Sequence, residues 1–241
     1  LAYSLSVYID WFYCLFLAPL IVALLGGIIE YVGLRKIYAK GHAAEMLLTF
    51  GLAYVVLELV QLIWGKSPLA SVLSPFWTQS AFFIGQYALS VLKVFMMLVS
   101  ASIALLLMLV LRFTKLGLII EAALSHPDAL SSLGFNLKRL NTQVFMMGCG
   151  LAALAGVLGG QAFVTEPGMA IQMGAMGFVI IVLGGLGSVA GAFWASLAIG
   201  LLQTLLLSYS DWGRLGSALP FLLLALSLLF RSKGLMGVRN A

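Results

Sequence analysis

His42 and His126, Cys14 and Cys149, and eight carboxylates are the side chains here that could ligate a metal, carry a proton or act as a nucleophile. Their spacing gathers none of them. The cysteines lie far apart, each inside an apolar run and with no CxxC, so both read as small packing residues. Neither histidine has a partner at metal-ligand spacing. No Ser/His/Asp set shares one depth, and no Gly-x-x-x-x-Gly-Lys-Ser/Thr stretch is present to cradle a nucleotide. What remains is Glu58 inside an apolar run, with Gln61 one turn away on the same helical face, and Gln161 ahead of Glu166-Pro167-Gly168 at the end of another. A carboxylate at such depth costs about 3 kcal/mol unless paired or wet. Glu58 is therefore a candidate for a wet path or for a pair with Lys66 or Lys93. The chemistry such groups support is passage of a polar solute, not the making of bonds.

The elements that must position these groups follow from composition. Hydrophobic residues make up 63% of 241 and charged residues 9%, with a mean hydropathy of +1.12, which excludes a soluble domain. The net charge of +5 is spread in short clusters between apolar runs, which excludes a nucleic-acid surface. Seven apolar stretches emerge: Trp11–Ile29, Met46–Trp64, Val91–Leu111, Thr142–Val164, Ile171–Leu186, Ser188–Leu207 and Leu215–Phe230. No period-2 alternation is visible, so the fold class is all-α, a polytopic transmembrane helix bundle forming a single domain over residues 1–241. Leu1 directly precedes an apolar run, and a segment upstream of it is expected.

Ten of the thirteen Lys and Arg residues fall in 31–45, 112–141 and the tail after Phe230, which the positive-inside rule places in the cytoplasm. Residues 65–90 and 208–214 then face outward, and Trp64, Phe76, Trp77, Phe82, Phe83 and Tyr87 read as an aromatic belt. Parity tests the 37 uncharged residues from Ile171 to Leu207. A single helix there would run to about 55 Å, against a core of roughly 30 Å, and would leave the basic tail outside. Two crossings that turn at Gly184-Gly185-Leu186-Gly187-Ser188 keep every basic cluster inside. A turn without a polar loop must be buried in protein or line a cavity.

Small residues recur every fourth position at Gly148, Ala152, Gly156 and Gly160, and again at Gly184, Ser188, Ala192, Ser196 and Gly200, with Gly191 beside them. Such stripes let helix backbones approach closely. The break at Gly184, Gly185, Gly187 and Ser188 reads either as packing alone or as backbone exposed to a translocation path. Between Arg112 and Asn141 the chain is mixed polar and apolar. There Asp128 can cap a short helix through Ala129, Leu130, Ser131, Ser132 and Leu133, stopped by Gly134. Too short to span, it reads as a docking helix on the cytoplasmic face, or as a plain connector.

Asp128-Ala129-Leu130-x-x-x-Gly134 resembles the Glu-Ala-Ala-x-x-x-Gly coupling loop of ABC importer permeases. Thr114-Lys115-x-Gly117, Ala122 and Leu133-Gly134-Phe135-Asn136 are similar to the branched-chain amino-acid permease family. So are Ala175-x-Gly177-Phe178 and the run from Val182 to Ala192. Glu30 before Leu34-Arg35, Thr49-Phe50-Gly51, Trp64-Gly65 and Arg231-x-x-Gly234-Leu235-x-Gly237 fit the same pattern. Two positions depart from it. Gly33-Leu34-Arg35-Lys36 stands where the family has Arg-Pro-Leu-Arg, and Glu121 stands where a basic residue is usual. The resemblance implies a non-catalytic permease subunit of the bacterial inner membrane with a cytoplasmic C-terminus. It would pair with a related second permease, two cytoplasmic ATPase subunits that hold ATP and Mg, and a periplasmic solute-binding protein. It would bind no cofactor of its own. Branched-chain amino acids are the implied solutes, with urea, short amides or carboxylates as alternatives. An ion-coupled secondary transporter is the more distant reading, and it would need more buried ionisable groups than Glu58.

Overall fold

A computed structural model describes residues 2–6, 10–68, 75–84, 87–125, 127–163, 165–166, 168–185, 187–208 and 219–230. Long apolar runs can satisfy their backbone in lipid only by winding into helices, and they do so here. The elements are α1 (Ala2–Ser6), α2 (Trp11–Ile29), a π-helical turn (Glu30–Leu34), α3 (Arg35–Ile37), a 3-10 turn (Tyr38–Lys40) and α4 (His42–Trp64). Then come α5 (Pro75–Thr78), β1 (Ser80–Ile84), β2 (Tyr87–Ser90), α6 (Val91–Phe113), α7 (Lys115–Ser125) and α8 (Pro127–Ser132). The last are α9 (Leu137–Ala162), α10 (Met169–Gly184), α11 (Val189–Ser208) and α12 (Leu219–Phe230).

Among the described residues, five helical stretches are long and apolar enough to cross a bilayer: Trp11–Ile37, Ala43–Trp64, Val91–Phe113, Leu137–Ala162 and Val189–Leu206. The protein is a polytopic helical membrane protein. Two of the seven expected spans are shorter, α10 with 16 residues and α12 with 12. Part of the span expected at 215–230 lies outside the described residues, as do Val164, Leu186, His126 and the basic tail. The expectation of helices alone is corrected in the segment expected to face outward. There β1 and β2 pair antiparallel, with Ser80 opposite Ser90 and Ile84 opposite Tyr87.

The chain forms two compact units, residues 1–101 with 113–167, and residues 102–112 with 168–241. In the first, α2 packs on α9, and the sequence explains how closely. A Cβ on Gly26 would stand 2.6 Å from the Cys149 sulfur, and one on Gly27 would stand 2.7 Å from Met146. Gly150 faces Ala23 and the Pro19 carbonyl in return. Within this chain these residues make the close approach, not the fourfold stripe, because Gly148 and Gly156 have open space above them. At one end of the pair, Trp11, Leu15, Ala18, Leu92, Val157 and Leu158 form a core. Trp77 sits edge-on to Trp11 and Phe95 with ring centres 5.1 Å from each.

In the second unit α10 and α11 pack as a hairpin, and α12 lies against α10. Among its described residues Val179, Leu183, Ala195, Ile199 and Pro220 are buried.

Candidate coupling segment and solute path

The segment that follows α6 folds as two helices where the sequence suggested one. α7 runs to Ser125, and α8 begins at Pro127, so Asp128 lies in the first turn of α8. Its carbonyl accepts the hydroxyls of Ser131 and Ser132 at 2.8 and 2.9 Å. The stop at Gly134 has a specific hydrogen-bond pattern: the Phe135 amide donates to the Leu130 carbonyl, and the Gly134 amide to that of Ser131. This is a Schellman closure, which needs a left-handed residue, and Gly134 supplies it at φ +86°. Two residues on, the Asn136 side chain accepts from the Arg139 amide at 3.1 Å and starts α9. Of the four proposed coupling residues only Leu130 is buried. Asp128, Ala129 and Gly134 are exposed, and so are the apolar Leu133 and Phe135 beside them. The result is a short helix closed at its C-terminal end and anchored by one leucine, with Leu133 and Phe135 exposed beyond it.

The glycine break is equally specific. α10 ends at Gly184, Gly185 and Gly187 take φ +105° and +85°, and the Ser188 hydroxyl accepts the Gly191 amide at 3.0 Å to start α11. A Cβ on Gly184 would lie 2.5 Å from the backbone of Gly191 and Ala192. Gly200, farther along the same stripe, faces open space.

The other path candidates do not converge. Glu58 is exposed on α4, and among the described residues it has neither Lys66 nor Lys93 as an ion-pair partner. Gln161 lines a cavity of about 280 Å³ in the first unit, together with Val22, Trp64, Gly156, Gly160 and Glu166. Its side-chain oxygen is buried there without a partner among the described residues. Gly148 and Ala152 are exposed on α9, outside the lining of that cavity.

One residue was undervalued from sequence. Glu30 appeared only as part of a motif, yet it is fully buried, the one charged side chain so placed among the described residues. Tyr38 donates to one of its oxygens at 3.3 Å, and the Thr142 hydroxyl to the other at 2.5 Å. Burial and then the Glu30 carboxylate push the Tyr38 phenol up from its ordinary range, so it stays protonated and able to donate. Tyr38 stands eight residues on, but Thr142 is 112 residues away, so no local spacing signals the cluster.

The family described as "Branched-chain amino acid transport system / permease component" matches residues 1–228. The chain belongs to this permease family. Its likeness to the high-affinity branched-chain amino acid transport permease LivH of Salmonella typhimurium and of Escherichia coli is 26% identity over 223 residues. That covers 91% of this chain and 72% of each relative. BraD of Pseudomonas aeruginosa, named for the same kind of system, is 32% identical over 126 residues, 52% of this chain and 40% of the relative. No solved structure matches the chain. As a member of this ABC permease family the protein is a transport subunit and not itself a catalyst. The same likeness makes it a multi-pass protein similar to bacterial inner-membrane permeases.

Proposed function

We propose that this chain moves branched-chain or other amino acids across the bacterial inner membrane as one permease of an ABC importer. The observation that carries the reading is the family match along residues 1–228, reinforced by likeness to LivH over 91% of the chain. In this reading residues 112–141 and the C-terminus face the cytoplasm, as the basic clusters require. α10 and α11 each cross, turning at the glycine break, and α12 makes the seventh crossing. α8 is the coupling helix. Its buried Leu130 joins it to the bundle, and the exposed Leu133 and Phe135 receive one of two ATPase subunits. A related permease completes the path, and a periplasmic binding protein delivers the solute. Closure of the ATPases on ATP moves α8, and the bundle shifts between outward-open and inward-open populations. Gly185, Gly187 and Ser188 contribute backbone to the path, as interrupted helices do elsewhere.

The test is purification of the full-length subunit from membranes that also contain its partner proteins, followed by reconstitution. An ATPase subunit is expected to co-purify, and uptake of radiolabelled leucine is expected to stop when that ATPase loses its Walker lysine. Recovery of active subunit without an ATPase, or uptake driven by an ion gradient alone, would overturn the importer reading. ATP-dependent uptake of urea or an amide with none of leucine would replace the solute and keep the rest.

A further inference from the structure

Glu30 is an expensive residue in an unusual place. A carboxylate removed from water is costly unless strongly compensated. Among the described residues its partners are two hydroxyls and no cation. The nearby Arg35 guanidinium lies over the Tyr31 ring, 5.2 Å from its centre. Glu30 also opens the π-helical turn Glu30–Leu34, and such turns inside a helix are frequent at functional sites.

Its two partners lead toward α8. Thr142 lies in the second turn of α9, the helix that the α8 closure feeds through Asn136. Tyr38 borders a cavity of about 220 Å³, lined on the other sides by Ile120 and Ala123 of α7 and by Leu140 and Phe145 of α9. There is thus free volume beside the cluster, between Tyr38, α7 and α9. The Thr142 hydroxyl has a second acceptor, its own helix carbonyl at Lys138, 2.9 Å away. Its single proton serves either Glu30 or Lys138. If the link from α9 opens, the Thr142 hydroxyl keeps an acceptor and Tyr38 still holds one oxygen of the carboxylate, while the other oxygen loses its partner.

We propose that Glu30, held by Thr142 and Tyr38, is the positioning residue that passes movement of the coupling helix from α9 into α2. The proposal rests on α8 being the motor's docking helix. When the motor displaces α8, the first turns of α9 follow, and the Thr142–Glu30 link pulls on the π-helical turn at the end of α2. With the link released, the π-helical turn no longer follows the first turns of α9, although α2 and α9 stay packed at Gly26 and Gly27.

The test uses the full-length subunit assembled with its partner permease and ATPases in nanodiscs and in liposomes. A bimane fluorophore on Val32→Cys, an exposed position of the π-helical turn, reports nucleotide-dependent movement without any solute. Radiolabelled leucine reports solute moved per ATP hydrolysed. With Thr142→Val the ATPase should still co-purify and hydrolyse ATP near the unaltered rate. The fluorescence response to ATP should disappear, and leucine moved per ATP should fall on the order of tenfold, the scale of one lost hydrogen bond to a charged group. Thr142→Ser should restore both. Glu30→Gln and Tyr38→Phe should give intermediate losses.

A fluorescence response that persists in Thr142→Val, or is absent even from the unaltered complex, would overturn the proposal. So would transport and hydrolysis falling in the same proportion, which is the behaviour of a merely structural brace. If Thr142→Val, Glu30→Gln and Tyr38→Phe all fail to assemble, the cluster serves folding and the proposal is likewise wrong. Absence of leucine transport from an unaltered complex that shows the fluorescence response would count against the solute reading alone. Failure of any ATPase to co-purify with the unaltered subunit would count against the importer itself.

Discussion

Two glycines that end helices, Gly134 and Gly184, are needed for opposite reasons. Gly134 closes α8 with φ +86° and nothing within 4 Å of where a Cβ would sit, so the requirement is one of torsion. Gly184 ends α10 without a positive φ, but a Cβ there would stand 2.5 Å from the backbone of Gly191 and Ala192. That requirement is one of distance. A strained torsion can be borne locally, by a turn that shifts slightly or by a residue that tolerates the left-handed region. A backbone-to-backbone clash has no rotamer to escape into, so the helix pair must separate. The α8 end is therefore built to tolerate change around it, and the α10–α11 turn is built to hold two helices at a fixed spacing.

The largest expected effect breaks the second kind. Gly184→Ala should cost about 3 kcal/mol, the upper range for an overpacked contact, because neither backbone can yield. Thermal unfolding of the purified subunit in detergent should show a clearly lowered midpoint, along with a poor yield of monodisperse protein. A midpoint equal to that of the unaltered chain would mean the hairpin is not closed at this distance. The next effect tests whether a side chain can give way where a backbone cannot. Gly26→Ala should cost about 2 kcal/mol, since the new methyl meets the Cys149 Sγ at 2.6 Å and its Cβ at 2.8 Å. Pairing it with Cys149→Gly removes both opposing atoms, and the double variant should recover most of the loss. The coupling energy of that cycle measures the contact, and a value near zero would show that α2 and α9 do not cross there.

What could be read from residues alone follows the same division between local and distant causes. The apolar runs announced the helices, and the density of glycine from Gly184 to Ser188 announced the break, because both are written in consecutive residues. Gly134 announced the end of α8 in the same way. Which face of α9 meets α2 was not legible. The Gly148–Gly160 stripe and the Met146, Cys149, Gly150 set are both small or flexible enough, and only the partner helix decides between them. The β1–β2 hairpin was hidden in a short aromatic segment whose alternation is too brief to stand out beside the long apolar runs. Burial of Glu30 depends on Thr142, far along the chain, and on a π-helical turn that no simple periodicity announces. For the candidate sites, the α8 closure and the Gly184–Ser188 turn were visible in advance, but the separation of Glu58 from Gln161 was not.

Gly134 gives the intermediate effect. Gly134→Ala should cost about 1 kcal/mol through torsion alone, and Gly134→Asn less, since Asn enters the left-handed region more readily. Both proteins should insert and stay monodisperse. In reconstituted complexes leucine uptake should fall more with Ala than with Asn, following the strain and not the side-chain volume. Equal loss from the two, or a greater loss with the bulkier Asn, would mean that something in the assembled complex packs against this position. The comparison with Gly184 would then narrow, since both glycines would be guarding a distance.

The smallest expected effect concerns glycines that satisfy neither requirement. Gly148 and Gly156 lack a positive φ and have no neighbour within 4 Å of where a Cβ would sit, so nothing within the described structure asks for glycine. An alanine at either position should change the stability of the isolated subunit by no more than about 0.5 kcal/mol, with helix propensity favouring the alanine. A drop in the isolated subunit would show that a neighbour stands closer to this face of α9 than the open space allows. If the isolated subunit is unmoved but the assembled transporter loses stability or yield, the requirement is again one of distance, imposed by a helix of another subunit. Small residues can be kept for contacts made only after assembly, and measuring the two states side by side tells that case from ordinary freedom to vary.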